Sequence, residues 1–154
     1  MTTAPEILRL HVDYMGWASA RILDAAARLA PDELARDFGT ADGSVLGTMV
    51  HIFSAERIWI RRIRGEDPGD LSKPESLDLP TLREDWSAVQ RDWRDWAAGI
   101  GVEEASAMIS YHDLRGNPWQ TPLWQIVLHV VNHGTHHRGQ ISGFLRAMGH
   151  VPPP

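Results

Sequence analysis

The sequence predicts an all-α fold, a four-helix bundle with a short hairpin before its last helix. Two observations carry this expectation. Four stretches of ~20 residues or more place apolar side chains three or four positions apart. One long connection rich in glycine and proline, Gly65 to Pro80, and a shorter break around Gly39 to Gly43 separate them, which suits a bundle with long crossings. The chain has 154 residues, within the usual span of one domain, so residues 1–154 are read as a single unit.

In the first helix, Thr3 is a candidate cap with Pro5 in the first turn, where a missing N–H costs nothing. Ile7, Leu10, Tyr14, Trp17, Ile22, Ala25 and Leu29 follow at helical spacing, broken at Arg21. Ser44 is a candidate N-cap for a second helix through Arg64, and Gly65 stops it. Pro80-Thr81 opens a third helix whose Leu82, Trp86, Val89, Trp93 and Trp96 form one apolar stripe. Gly99 or Gly101 ends it. Its tryptophans read as core or interface without polar partners. Residues 107–120 lose the helical period and read as a hairpin or extended loop. Thr121-Pro122 then starts a last helix to Met148, with Gly149 just past its end.

Composition excludes several classes of chemistry. There is no cysteine, so disulfides, thiolate zinc sites, cysteine nucleophiles and iron–sulfur clusters fall away together. A net charge of −5, with no run of basic residues, argues against a nucleic-acid partner. No apolar stretch reaches the ~20 residues of a membrane span, and no basic-then-apolar leader opens the chain. A cytoplasmic protein is expected.

The last helix holds the unusual residues. His129, His133 and His137 are spaced four apart and form one row, while His136 lies ~100° off it. His51 sits in the second helix among Val50, Ile52 and Phe53, in a setting that reads as core-facing. Two imidazoles at i and i+4 can hold one ion, and a third from a neighbouring helix completes an open tripod. The competing reading is a set of hydrogen-bonded core histidines. Spacing alone leaves both open. A metallopeptidase is excluded, because the position after His133 is Gly134 where such helices carry glutamate. A di-iron carboxylate site is excluded because no glutamate stands three before a histidine.

The run His129 to Gln140 closely resembles the last-helix motif of the DinB-like (YfiT-like) proteins. Leu46, His51, Ala55-Glu56-Arg57 and Trp59 resemble the family's second helix, Tyr14 and Trp17 its first, and Tyr111 to Asn117 its hairpin. The lesion-bypass polymerase that shares the DinB name is unrelated. The resemblance implies an up-down-down-up helix order, a homodimer, and a divalent metal, zinc or nickel, held by His51, His133 and His137. Relatives include transferases and isomerases that use a low-molecular-weight thiol such as mycothiol or bacillithiol, and hydrolase-like members. Met15 departs from the family, which often carries asparagine after the first-helix tyrosine, and Ser19 stands where another polar residue is common.

The expected function is therefore metal-dependent chemistry on a small molecule, through activated water or a cofactor thiolate. The alternative is a stress-related bundle whose ion is structural. Around the tripod, His129 reads as a partner of His133 or as core packing, and Tyr14 and Trp17 as core or as walls of a pocket above the metal. Asp113 reads as a base, a substrate contact or turn chemistry. Arg138 reads as a substrate contact or a salt-bridge partner of Glu56, and Gln140 as a pocket residue. Gly139 and Gly143 permit close helix approach within the subunit or across a dimer.

Overall fold

A computed structural model describes residues 4–68 and 78–153. Its elements in order are α1 (Ala4–Ala26), α2 (Pro31–Ala35), α3 (Val45–Ile63), α4 (Leu79–Ala98), α5 (Val102–Ala105), β1 (Met108–His112), β2 (Pro118–Pro122) and α6 (Leu123–Ala147). The four long helices are those expected, and α1, α3, α4 and α6 form the bundle. Thr3 and most of the Gly65–Pro80 connection lie outside the described residues.

Side-chain pairs give the helix directions. Arg9 near the start of α1 donates to the carbonyls of Ala97 in the last turn of α4 and Ile100 just beyond it, and Arg83 early in α4 pairs with Asp24 late in α1. Those two helices are antiparallel. Phe53 meets Trp86 and Arg64 meets Asp92, so α3 and α4 run parallel. His51 meets His137 while Trp59 meets His129, so α3 and α6 are antiparallel. The result is up-down-down-up, with α6 lying against both α1 and α3.

Local chemistry fixes the ends. The Ser44 hydroxyl accepts from the Gly47 amide at 3.0 Å, and Gly65 takes φ +71 beyond the last turn of α3, as a helix stop requires. Three boundaries differ from expectation. Asp78 caps α4, accepting from the Thr81 amide at 2.8 Å, ahead of the Pro80-Thr81 start. Pro31–Ala35 forms a short helix, and α1 ends at Ala26 instead of reaching Leu29. Thr121 and Pro122 belong to β2, paired with Ile109 and Met108. The sheet therefore claims both residues and α6 starts at Leu123, whose amide donates to the Ala107 carbonyl at 2.9 Å.

The core is built from Met15, Met49, Ile52, Leu82, Trp86, Trp93, Ile126 and Ile141, all essentially without exposure. Each such side chain contributes roughly 1.5–3 kcal/mol on leaving water. The tryptophans do have polar partners, contrary to expectation. Trp86 Nε1 donates to Glu56 Oε2 at 2.6 Å, and Trp93 Nε1 donates to the Glu56 carbonyl at 3.0 Å. Gln90 Nε2 donates to the same carboxyl oxygen. An indole buried without an acceptor would forfeit its water hydrogen bond, so Glu56 resolves a problem the apolar stripe creates.

Glu56 is 1% exposed. Burial pushes its carboxyl up to about 8, against the opposing pull of the Trp86 bond and of Arg138. Glu56 Oε1, Gln90 Oε1 and Ser19 Oγ are all buried without a satisfied hydrogen bond. Ser19 carries a hydroxyl that can donate to the carboxyl, and a proton on Glu56 adds a second donor among these oxygens. Among the described residues Arg138 forms no ion pair with Glu56, so the expected salt bridge is absent.

A carboxyl whose folded pKa is raised adds stability at low pH and loses it as pH climbs through the folded value. The window runs from 4.5 to about 8. Glu56→Gln keeps the acceptor for Trp86 and cannot ionise. Its stability relative to the parent should therefore rise across that window by an amount on the order of a few kcal/mol, read by urea denaturation at several pH values. A constant difference would show that Glu56 is ionised throughout.

Candidate metal centre

The site forms where α3 crosses α6. His51 stands in the second turn of α3, and His133 and His137 stand one turn apart on α6. His51 Nε2 and His133 Nε2 are 2.9 Å apart. The rings of His51 and His137, and of His133 and His137, have centroids 4.5 Å apart. One nitrogen from each of the three residues lies within 4.8 Å of the others. A tetrahedral ion bound at 2.0–2.1 Å keeps its nitrogens about 3.3 Å apart, so small side-chain rotations close the set. Far from facing the core, His51 leaves 42% of its side chain exposed, against 13% for His137. The group is open on the His51 side.

Two further residues set the ring orientations. Gln140, one turn after His137 and expected only as a pocket residue, has its Oε1 2.7 Å from His137 Nδ1. If Nδ1 carries the proton it donates to that oxygen, and Nε2 keeps its lone pair for the open side. Asp42 was not singled out by the sequence reading. Its carboxylate oxygens lie 3.5 Å from His51 Nδ1 and 3.7 Å from His137 Nδ1, so one carboxylate faces the rear of two rings. Such groups behind histidine ligands fix tautomer and raise basicity.

The loop holding Asp42 is anchored from both ends. Phe38 stacks on Phe144 of α6 with centroids 4.3 Å apart, and the Phe38 amide donates to the Gly43 carbonyl at 2.7 Å. Gly47 lets the first turn of α3 press on this loop, since a Cβ there would lie 2.1 Å from the Asp42 carbonyl oxygen. An aspartate two residues before a helix cap, in a glycine-rich turn, looks like ordinary turn chemistry. Only the crossing of α3 over α6 shows what it faces.

The electrostatics favour neutral imidazoles at the two α6 positions. Burial, then the neighbouring His137 and His51 rings, bring His133 down to about 4. Burial likewise lowers His137, opposed by its bond to Gln140. Neutral rings with free lone pairs are the metal-binding form. His133 Nδ1 is buried without a partner. The donor set of three nitrogens with a carboxylate behind them fits a borderline divalent metal ion.

The remaining candidates lie elsewhere. His129 is exposed, one turn from His133, its ring edge-on to Trp59 at 5.7 Å, so core packing does not describe it. His136 is exposed and touches His137 edge-on. Tyr14 and Trp17 are 41% and 52% exposed, neither core nor above the triad. They line a groove between α1 and α6 that contains none of the three histidines. Arg138 is buried on that same flank, its Nη2 donating to Thr135 Oγ1 at 3.0 Å. Asp113 is turn chemistry. Its carboxylate accepts from the side chain and amide of Asn117, from Trp119 Nε1 and from the Arg115 amide, which hold it well below the usual carboxylate range. A Cβ on Gly139 or Gly143 would meet nothing within 4 Å, so neither glycine serves a close approach inside the subunit.

Fold and site together define a class, a four-helix bundle carrying an open triad of histidines at the crossing of its second and fourth long helices. The chain belongs to the DinB family, whose pattern it matches over residues 1–154. Protein DinB of Bacillus subtilis (strain 168) is 22% identical over 148 residues, covering 92% of this chain and 86% of that one. Among solved structures, a DinB-like protein of Bacillus cereus ATCC 10987 superposes with TM-score 0.68 at 17% identity, covering 94% of each chain. A second DinB-like protein, YjoA of Bacillus subtilis, superposes with TM-score 0.70 at 16% identity, covering 94% of this chain and 96% of that one.

In chelator-treated protein, His133 should titrate near 4 when its ring carbon is followed by NMR across pH. A lowered histidine gives stability that is present above its ordinary value of 6.5 and lost as pH falls towards 4. An unperturbed titration would contradict the packing described.

Proposed function

We propose that the chain is a metal-dependent enzyme acting on a small molecule, with His51, His133 and His137 as the ligands of one divalent ion, zinc or nickel. The observation that carries this reading is the triad's geometry, three imidazole nitrogens within 4.8 Å of one another with His51 left accessible. A bound ion would supply Lewis acidity, bringing water's pKa from 15.7 to about 7 or taking a thiolate as ligand. Gln140 and Asp42 hold the rings, and the chain's lack of cysteine means that any thiol must arrive as a low-molecular-weight cofactor. Trp59, whose ring meets both Tyr111 and His129, leads from His133 towards the hairpin and offers an aromatic surface for a substrate.

The alternative, an ion that serves only structure, fits less well. Structural zinc usually has four protein ligands, and the described residues offer three. The core around Trp86 and Trp93 is complete without the site. No helix among the described residues is long and apolar enough to cross a membrane, which agrees with the cytoplasmic location we propose. Exposed Ile7 and Leu10 at the start of α1 support the homodimer that family resemblance suggests, and sedimentation velocity tests it.

Elemental analysis of untagged protein should find about one equivalent of zinc or nickel, lost in His133→Ala His137→Ala. No metal in either would refute the reading. Chelation should leave most of the melting transition in place, whereas a structural ion would take it away. Gln140→Ala and Asp42→Asn should each weaken metal affinity by roughly 10–100-fold with the fold unchanged, measured by competition with a chromophoric chelator.

A further inference from the structure

The flank of α6 turned towards α1 carries polar chemistry that the histidine triad does not use. A groove of ≈ 200 Å³ there is lined by Tyr14, Trp17, Arg21, Thr135, Arg138 and Ser142, among others. Arg138 is only 6% exposed. Its Nη2 bonds to Thr135 Oγ1 at 3.0 Å, and its Nη1 is buried with no partner. Gly134 makes room for the guanidinium, since a Cβ there would stand 2.7 Å from Nη1. Arg21 Nε is likewise buried and unpartnered.

Neither guanidinium forms an ion pair among the described residues, although Arg64 and Arg83 both find aspartates. What sets this groove apart is burial, since Arg138 is the one arginine among the described residues that is buried. A buried N–H without an acceptor loses the hydrogen bond that water gave it, and for a charged group the loss is larger. The aromatic rings only partly compensate. Arg138 lies over Tyr14 at 5.6 Å and Arg21 over Trp17 at 5.0 Å. The two rings, 5.9 Å apart and inclined by 35°, form an exposed apolar wall beside the charges.

We propose that this groove is a second ligand site, distinct from the histidine triad, that takes a small carboxylate with a flat apolar body. The carboxylate accepts from Arg138 and Arg21, which present fork-shaped donors matched to two oxygens. Thr135 and Ser142 supply hydroxyls at the groove wall, and the body of the ligand lies against Tyr14 and Trp17. A carboxylate suits the groove better than inorganic phosphate because half of its lining offers nothing to further charged oxygens. The site does not depend on the metal reading, because no residue lining it belongs to the triad.

Benzoate is the simplest probe of this class, with benzamide as its neutral counterpart. Titrated into the full chain and followed by the Trp17 indole resonance, assigned with Trp17→Phe, benzoate should give a saturable shift. Benzamide should bind at least about tenfold more weakly, and Arg138→Gln should weaken benzoate by about tenfold or more. Arg21→Gln, at a more accessible position, serves the same purpose if Arg138→Gln does not fold. His51→Ala should leave benzoate affinity within about twofold, as expected for a separate site.

Equal binding of benzamide, unchanged affinity in a folded arginine variant, or no saturation up to roughly 50 mM, beyond the millimolar affinities of fragments, would overturn the proposal. So would displacement of benzoate by equimolar inorganic phosphate. A Trp17 resonance that follows protein concentration and ignores benzoate would show a second copy covering this face, which also overturns it.

Discussion

The carboxyl of Glu56 is the point at which the four long helices meet. It sits on α3, accepts from Trp86 and Gln90 of α4, faces Ser19 of α1 and feels the charge of Arg138 on α6. Trp93 bonds to the backbone carbonyl of the same residue. Burying a carboxylate alone would be prohibitive, whereas a protonated carboxyl between indole and amide donors is tolerable. These bonds hold α3 in one rotation about its axis. His51, five residues earlier and ~140° round the helix, is thereby turned out of the core and onto α6. The position of the candidate metal centre depends on that rotation.

The last helix serves two grooves with two chemistries. His133 and His137 face α3, where burial and mutual proximity keep the rings neutral. Arg138, adjacent in sequence but ~100° further round, faces α1 and lines the other groove. Gly134 appears on the arginine's flank because a side chain there would occupy the guanidinium's place. Each glycine in a helix costs about 1 kcal/mol against alanine, and at this position the cost has a visible reason. The same helix therefore carries a pair of neutral rings on one side and the unpaired guanidinium of Arg138 on the other.

Much of this was legible in the sequence, and the limits have physical causes. Apolar period, the Ser44 cap and the Gly65 stop located the four long helices because helix formation is local. The His133–His137 row was legible for the same reason, and family resemblance supplied His51. What escaped was long-range. Trp86 and Trp93 read as a purely apolar stripe because their acceptors lie on another helix. Asp42 drew no attention because its relation to His51 and His137 exists only once α3 crosses α6. Arg138 and Glu56 looked like a salt bridge, yet burial favours a neutral Glu56 and leaves the arginine free. Thr121 and Pro122 looked like a helix start until strand pairing with Met108 and Ile109 claimed them.

The most direct test of the central claim is the X-ray absorption spectrum of the metal-replete protein at the edge of the bound ion. The account predicts scattering from three imidazoles at about 2.0–2.1 Å, with one or two light atoms from solvent completing the shell and no sulfur in the absence of added thiol. A shell without imidazole scattering, or one in which His51→Ala leaves the imidazole count unchanged, would contradict it.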